Sequence, residues 1–151
     1  MRGRQFESMV KGQGIDEKRP FVLIVEDDDR MRELMSLLMQ GEGYDTFELT
    51  DGIEALNYLA ASDVYRREVR SPDLIVADIN MPDYSGLDIL MGMREKRNRP
   101  PVILVTGDGD EELHREGTRL GAACLMKKPF DVDRLLEAVE KALFKHSPRT
   151  H

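Results

Sequence analysis

The sequence has little cysteine, no long apolar run and no excess of basic residues. Its single cysteine, Cys124, cannot form an internal disulfide and lies in an apolar run, where a packed thiol is expected. No apolar stretch approaches the ~18 residues that a membrane span needs, and the first residues lack the apolar core of a secretory signal. The net charge of −7 argues against direct binding of DNA or RNA. These absences favour a protein of the reducing cytoplasm.

The rest of the composition is that of one folded domain. Hydrophobic residues make up 40% and charged residues 34% of the 151 residues, which allows one well-developed core. Residues 1–19 are rich in glycine and charge without periodicity, so they are predicted to be a flexible extension. We therefore expect a domain over residues 20–146 and a short tail over residues 147–151.

Apolar runs and helical spacing alternate along the domain. Short apolar runs predict strands at residues 21–25, 74–77, 101–106 and 122–128, and alternating polar and apolar residues predict an edge strand at residues 44–49. After each run apolar residues recur at helical spacing, and capping residues predict helix starts at Asp28 or Asp29, Thr50 or Asp51, Ser85, Asp110 and Asp131. Strict alternation predicts a doubly wound α/β fold, with five parallel strands and five helices on both faces of the sheet.

Helical periodicity also predicts which helix faces are buried. The residues expected to face the core include Leu34, Ile53 and Met91 on the first three helices and Val132 on the last. Gly117 is expected to interrupt the fourth helix. The third helix is expected to continue into the run from Arg94 to Arg99, where the helix dipole would account for the basic charge.

Polar side chains follow four of the predicted strands at the point where each strand ends. Taken alone, each has an ordinary structural interpretation, because strand ends often carry turn-capping acids, hydroxyls and solvated lysines. In parallel sheets, however, ligands bind outside the carboxyl ends of the strands. Their convergence on one edge therefore favours a site of chemistry formed by Glu26, Asp27, Asp78, Thr106 and Lys128.

Three carboxylates at one edge need either raised pKa values or a cation. Two like charges ~4 Å apart repel by about 4 kcal/mol at an effective dielectric of 20. Mg²⁺ suits such a rim, because it prefers one or two protein carboxylates and keeps several waters. With Lys128 it would neutralise the pocket enough to admit a phosphoryl group, for which Asp78 can be the in-line nucleophile.

In these motifs the sequence resembles the receiver domain of two-component response regulators. The resemblance extends from about residue 21 to residue 145 and implies a flavodoxin-like sheet with strand order 2-1-3-4-5. It also implies a cis peptide bond between Lys128 and Pro129. The motifs that carry it are Glu26-Asp27, Asp78 with Asn80-Met81-Pro82 and Gly86, Thr106, and Lys128-Pro129-Phe130.

The resemblance implies a role for each site residue. Asp78 would accept a phosphoryl group from a phosphohistidine of a sensor kinase or phosphotransfer protein. Mg²⁺ would be bound by Asp27, Asp78 and the main-chain carbonyl of Asn80, and by Glu26 mostly through water. Thr106 and Lys128 would donate hydrogen bonds to the phosphoryl oxygens. The domain would be a signalling switch and not an enzyme with a substrate of its own.

Output would occur by protein contact, because no further apolar-periodic block follows the fifth helix. The expected contact surface is the fourth helix, the fifth strand and the fifth helix, which would also allow a homodimer. Neither a nucleic acid nor a membrane is an expected partner.

Three features depart from the receiver pattern, and two other functions remain open. Leu125 occupies the position of an aromatic switch residue, Gly107 replaces the usual alanine, and the connection over residues 62–70 is long. A scaffold that works without phosphorylation would fit Leu125. A phosphohydrolase would normally need a second acid where this sequence has Asn80.

Overall fold

A computed structural model of the chain describes residues 19–107 and 111–146. Three sequence predictions lie outside these residues: nearly all of the flexible extension over residues 1–19, the helix start at Asp110, and the tail over residues 147–151. None of the helices within the described ranges combines the length and apolar character that crossing a bilayer requires.

Five parallel strands form one sheet in the order β2-β1-β3-β4-β5, which confirms the predicted topology. The three inner strands are buried along their whole length, as continuous apolar runs require when helices cover both faces of a sheet. The strands are β1 Phe21–Val25, β2 Asp45–Leu49, β3 Leu74–Asp78, β4 Val102–Thr106 and β5 Cys124–Lys127.

Five helices follow the strands: α1 Asp29–Gly41, α2 Gly52–Val64, α3 Gly86–Gly92, α4 Glu111–Arg119 and α5 Val132–His146. Side-chain caps start the first three. Asp28 accepts a hydrogen bond from Met31 N, and Asp51 accepts one from Glu54 N. Ser85 forms a capping box with Asp88. The structure therefore selects Asp28 over Asp29 and Asp51 over Thr50.

Helix α3 is shorter than predicted, because it ends at Gly92 and not at the prolines near residue 100. The amide of Met93 closes the last turn on carbonyls of the preceding three residues, and separate turns follow. Gly92 also marks a close approach of α3 to α2, since a Cβ there would lie 2.6 Å from Leu56 Cδ2. A glycine both weakens the helix and permits this contact.

The core consists of two clusters, one on each face of the sheet. Alternate residues of β1 enter different clusters, with Leu23 facing α2, α3 and α4, and Ile24 facing α1 and α5. Leu104 and Ile103 of β4 divide in the same way. Both clusters therefore pack against the same inner strands, from opposite faces of the sheet.

Four large residues predicted for the core are exposed instead: Leu34 by 44%, Ile53 by 45%, Met91 by 53% and Val132 by 37%. Met39, Tyr58 and Ile89 are fully buried in their helices. On each helix the stripe of apolar residues is wider than the face that contacts the sheet. The sequence pattern alone therefore does not determine which apolar residues of the stripe are buried. Tyr58 can be buried because its hydroxyl donates a hydrogen bond to the Arg70 carbonyl at 2.7 Å.

Gly117 does not interrupt α4, contrary to the prediction; it lies inside the helix and is buried. A Cβ at this position would lie 2.9 Å from both Leu104 Cδ1 and Leu125 Cδ2. The glycine therefore allows α4 to pack closely against β4 and β5, and Leu125 fills the space beside it.

Candidate functional site

The carboxyl ends of four strands bring the predicted site residues to one edge of the sheet. Backbone hydrogen bonds continue the ladder beyond the strands and fix these ends. Glu26 N donates to Leu49 O at 3.1 Å, Ile79 N to Val105 O at 2.8 Å, and Lys128 N to Thr106 O at 2.7 Å. Each functional side chain is thus attached next to a rigid backbone position.

Three acids form a compact group at this edge. One carboxylate oxygen from each of Glu26, Asp27 and Asp78 lies within 4.8 Å of the others. Glu26 and Asp78 are buried, whereas Asp27 is exposed. The group therefore opens to solvent on the Asp27 side.

Lys128 supplies the positive charge of the site. Its Nζ lies 2.9 Å from Glu26 Oε1 and 2.9 Å from Asp78 Oδ2. Burial alone would lower the pKa of Lys128, but hydrogen bonds to Asp78 and Glu26 outweigh it and raise that pKa above its usual value. The ammonium group therefore stays charged and links three strands.

The peptide bond between Lys128 and Pro129 is cis, as predicted.

Glu26 has a strongly perturbed carboxyl group. Burial raises its pKa from 4.5 to about 7, although hydrogen bonds from Lys128 and from the Asp28 amide oppose the shift. The Asp28 amide lies 3.1 Å from Glu26 Oε2. The negative charge of Asp78 raises the pKa further. At neutral pH the acidic group is therefore not fully compensated by Lys128.

Hydrogen-bond donors hold both oxygens of Asp78. Asn80 N donates to Asp78 Oδ1 at 2.8 Å, and Lys128 Nζ donates to Oδ2 at 2.9 Å. The carboxylate is buried at the end of β3, so its orientation is set by these two contacts and by the strand. Such fixation is what an in-line nucleophile requires.

Thr106 and Gly107 form the β4 side of the site. The Thr106 hydroxyl is buried and lies 3.4 Å from the Met126 carbonyl, a long hydrogen bond that a better acceptor could replace. A Cβ at Gly107 would lie 2.9 Å from Asn80 Nδ2. The space left by the missing side chain is thus occupied by the Asn80 amide.

Arg32 is a site-supporting residue that the sequence prediction missed. Its Nη1 donates to the Glu26 carbonyl at 2.9 Å, and its Nε lies 3.4 Å from Glu48 Oε1. It therefore joins α1 to the ends of β1 and β2. The available signal was a basic residue in the first turn of the helix that follows the acidic loop.

The donor set fits a hard divalent cation such as Mg²⁺. All three acidic groups offer oxygen, two of them are buried beside one exposed group, and the open side leaves room for water ligands. Burial raises the pKa of Glu26, and a cation beside the carboxyl group would favour its ionised form. Asn80 lies beside this group, because its main-chain N–H donates a hydrogen bond to Asp78 Oδ1.

This arrangement agrees with the comparison to known proteins. The family model of the response regulator receiver domain matches residues 22–140, most of the chain. The chain belongs to this family. Receiver domains are signalling domains of two-component systems whose general function is to accept a phosphoryl group, and as a class they pair with sensor kinases.

Similar proteins cover the receiver over most of its length. It is 34% identical over 122 residues to sporulation initiation phosphotransferase F from Bacillus subtilis (strain 168), covering 81% of this chain and 92% of that protein. It is 36% identical over 122 residues to regulatory protein AtoC from Escherichia coli (strain K12), covering 81% of this chain but only 25% of AtoC. The receiver thus spans nearly all of one relative and a quarter of another.

Solved receiver structures share the fold. The receiver domain of Francisella response regulator 1452 superimposes with a TM-score of 0.74 at 27% identity, covering 85% of this chain and all of that one. The five-stranded architecture described above is therefore the ordinary architecture of the family.

Proposed function

We propose that Asp78 accepts a phosphoryl group from a phosphohistidine of a sensor kinase or phosphotransfer protein, and that this controls contact with a partner protein. The observation that supports it best is the pair of hydrogen bonds that fixes the Asp78 carboxylate, 2.8 Å from Asn80 N and 2.9 Å from Lys128 Nζ. The unit that carries this function is residues 20–146, with an extension before it and a tail after it.

The transfer forms one bond and breaks another. A carboxylate oxygen of Asp78 attacks phosphorus in line, the bond from phosphorus to the imidazole nitrogen breaks, and the electron pair returns to that nitrogen. The product is an acyl phosphate on Asp78. The Lys128 ammonium and the Thr106 hydroxyl donate hydrogen bonds to the phosphoryl oxygens, for which Thr106 gives up its long contact to Met126.

Asp27, Asp78 and the Asn80 carbonyl would hold Mg²⁺ directly, and Glu26 would act through water. The ion would neutralise charge on the phosphoryl group when bound. The Glu26 carboxylate accepts a hydrogen bond from Lys128 and so orients the ammonium group. The phosphodonor would approach from the solvent-exposed side of the site, at Asp27. The proposed cellular location is the cytoplasm.

The first prediction concerns Asp78 itself. The full chain is incubated with acetyl phosphate and Mg²⁺, and its intact mass is followed. We expect a gain of one phosphoryl group that hydroxylamine removes, and we expect Asp78→Asn to abolish the gain because the nucleophile is lost. Asp83→Asn is the matched control, since Asp83 is an exposed acid in the same loop. The assignment is wrong if the wild type gains no mass, or if Asp78→Asn still does.

A scaffold that works without phosphorylation is the second candidate, and the packing of Leu125 favours it. The Leu125 side chain packs beside Gly117 of α4. An aliphatic side chain, and not an aromatic ring, therefore forms this contact between β5 and α4. Hydrogen exchange distinguishes the two functions. A switch predicts altered exchange in α4 and β5 when the wild type, but not Asp78→Asn, is treated with acetyl phosphate. Unchanged exchange in a fully phosphorylated wild type would favour the scaffold.

A further inference from the structure

The edge of the sheet opposite the Asp78 site carries a concentrated positive charge. The connection from α2 to β3 and the connection from α3 to β4 both lead into the amino ends of strands, whereas the acidic group lies at the carboxyl ends. We call residues 63–67 and 94–99 the basic edge surface. Five-residue strands place the two edges roughly 16 Å apart.

The charge of this surface contrasts with the rest of the chain. The basic edge surface, residues 63–67 and 94–99, contains six basic and two acidic side chains, a net charge of +4. The whole chain carries −7, so the remaining residues carry −11. A positive patch on a strongly acidic protein is a specific feature and not a reflection of its composition.

Direct contacts make the two segments one surface. Lys96 Nζ on the second segment lies 2.9 Å from Asp63 Oδ2 at the end of α2. Arg66 Nε donates to the Asp63 carbonyl at 3.3 Å, and Arg99 Nη1 donates to the Arg94 carbonyl at 3.3 Å. The ion pair between Lys96 and Asp63 therefore joins the two connections, and the two arginine contacts each lie within one connection.

Helix dipoles do not account for these arginines, contrary to the sequence prediction. Helix α2 ends at Val64 and α3 ends at Gly92, and neither has a basic residue in its last turn. The dipole effect falls off within that turn. Of the arginines on the surface, Arg66 alone contacts a carbonyl of either helix among the described residues.

Several of the arginines are available for a ligand. Arg67, Arg94 and Arg97 are exposed, and no carboxylate of the described ranges lies within ion-pair distance of them. Val64 and Tyr65, 72% and 47% exposed, precede Arg67 in the sequence at the end of α2. Arginine and tyrosine are enriched among the residues that contribute most to protein interfaces, while apolar side chains provide anchoring contacts.

We propose that the basic edge surface binds an acidic segment of a partner protein, one that also carries apolar residues. Nucleic acid and a membrane surface fit less well. Both are extended polyanions, and beyond the surface they would meet a molecule with a charge of −11. A short acidic segment can stay within the positive surface, and it leaves the Asp78 edge free.

The test uses a fluorescein-labelled synthetic peptide of alternating glutamate and leucine, and its glutamine analogue. Fluorescence anisotropy measures binding to the full chain at low salt. We expect the glutamate peptide to bind and the analogue not to bind. The double variant Arg67→Gln/Arg97→Gln should weaken binding about tenfold, because two unpaired charges are lost. The matched control is Arg115→Gln/Arg134→Gln, two exposed arginines on α4 and α5; it should bind like the wild type.

Amide chemical shifts locate the binding. Titration of the ¹⁵N-labelled chain with the glutamate peptide should shift amides of residues 63–67 and 94–99. Equal binding by both double variants, shifts confined elsewhere, or no binding at all would overturn the proposal. Tighter, arginine-dependent binding of an oligonucleotide or of phosphatidylserine vesicles would overturn it as well. Phosphorylation of Asp78 by acetyl phosphate should be unchanged in both double variants, which keeps this test separate from that of the proposed function.

Discussion

Glu26 combines complete burial with an ionisable group at a functional edge. Its side chain has no solvent exposure, and Lys128 Nζ and the Asp28 amide are its hydrogen-bond donors among the described residues. Burial disfavours the charged form more than these donors favour it. Lys128 thus favours the ionised form of Glu26, and burial, with a smaller contribution from the charge of Asp78, disfavours it.

The raised pKa of Glu26 predicts that stability falls with pH in the metal-free protein. The unfolded chain releases this proton near 4.5 and the folded chain near 7. The folded state therefore binds more protons between these values, and the stabilising contribution, full below 4.5, is lost as the pH rises through about 7. We expect Glu26→Gln to reduce this decline, as measured by urea denaturation in EDTA across the interval.

Glu33→Gln is the control for that experiment, because Glu33 is an exposed carboxyl on α1. It should show the same decline as the wild type. A Glu26→Gln variant whose stability still falls as steeply as that of the wild type would show that other groups govern the pH dependence.

Metal addition should oppose the same effect. Mg²⁺ binds the ionised acids, so it should raise the thermal unfolding midpoint more above pH 7 than below it, where Glu26 holds a proton. We expect Asp27→Asn to lose most of the increase and Glu33→Gln to retain it. Equal stabilisation of Asp27→Asn and wild type by Mg²⁺ would place the ion elsewhere.

Residue types at strand ends made most of the site predictable from sequence. Parallel strands bring their carboxyl ends to one edge, so Glu26, Asp78 and Lys128 could be placed together without knowing any distance. Arg32 could not be found in this way. It reaches the site from a helix, and its contact is to a main-chain carbonyl, for which no side-chain pattern exists.

At the scale of elements, Gly52 is where α2 meets the loop after Asp78. A Cβ at Gly52 would overlap the Tyr84 carbonyl oxygen and lie 2.8 Å from Tyr84 Cβ. Tyr84 belongs to the loop between β3 and α3, which begins at Ile79 and contains Asn80. The missing side chain therefore lets this loop rest on the start of α2.

Gly52→Ala should destabilise the receiver by about 1–3 kcal/mol, because the new methyl group displaces backbone atoms. Gly41→Ala is the matched control, since nothing lies within 4 Å of a Cβ at Gly41 in α1. There alanine should be neutral or stabilising, by up to ~1 kcal/mol. Urea denaturation measures the change in stability of each variant. Equal effects of the two substitutions would show that the loop at Tyr84 can move away from the new methyl group without loss of stability.

Element types were predictable, but the ends and faces of helices were less so. The strand runs and the caps Asp28, Asp51 and Ser85 are local signals, and the structure bears them out. The end of α3 at Gly92 depends on its approach to Leu56 of another helix. Such tertiary contacts have no local signature, and for the same reason the sequence wrongly predicts a helix break at Gly117.

At the scale of the molecule, the shared sheet should make unfolding a single transition. The two core clusters pack against opposite faces of the same inner strands. Loss of packing in one cluster therefore disrupts the strands on which the other cluster depends. We expect Leu104→Ala in one cluster and Ile24→Ala in the other each to cost about 2–5 kcal/mol. Circular dichroism and tyrosine fluorescence should give the same midpoint in each variant. Separate midpoints for the two probes would contradict this expectation.

The strand order was predictable only through the family resemblance. Alternation of strands and helices requires a parallel sheet with helices on both faces, but it is compatible with more than one order. The resemblance carried by the strand-end motifs supplied the order 2-1-3-4-5, which the sheet has. The opposing basic edge went unrecognised, because its two segments are separate in sequence and meet only through Asp63 and Lys96.

The contact between Lys128 and Glu26 joins residues 102 positions apart in the chain, and that with Asp78 spans 50 positions. During translation, Glu26 and Asp78 therefore leave the ribosome well before Lys128 does. Until Lys128 has emerged, Glu26 and Asp78 lack the ammonium group that compensates them. A nascent or prematurely truncated chain should consequently be unable to take a phosphoryl group, so that only completed receivers would enter signalling.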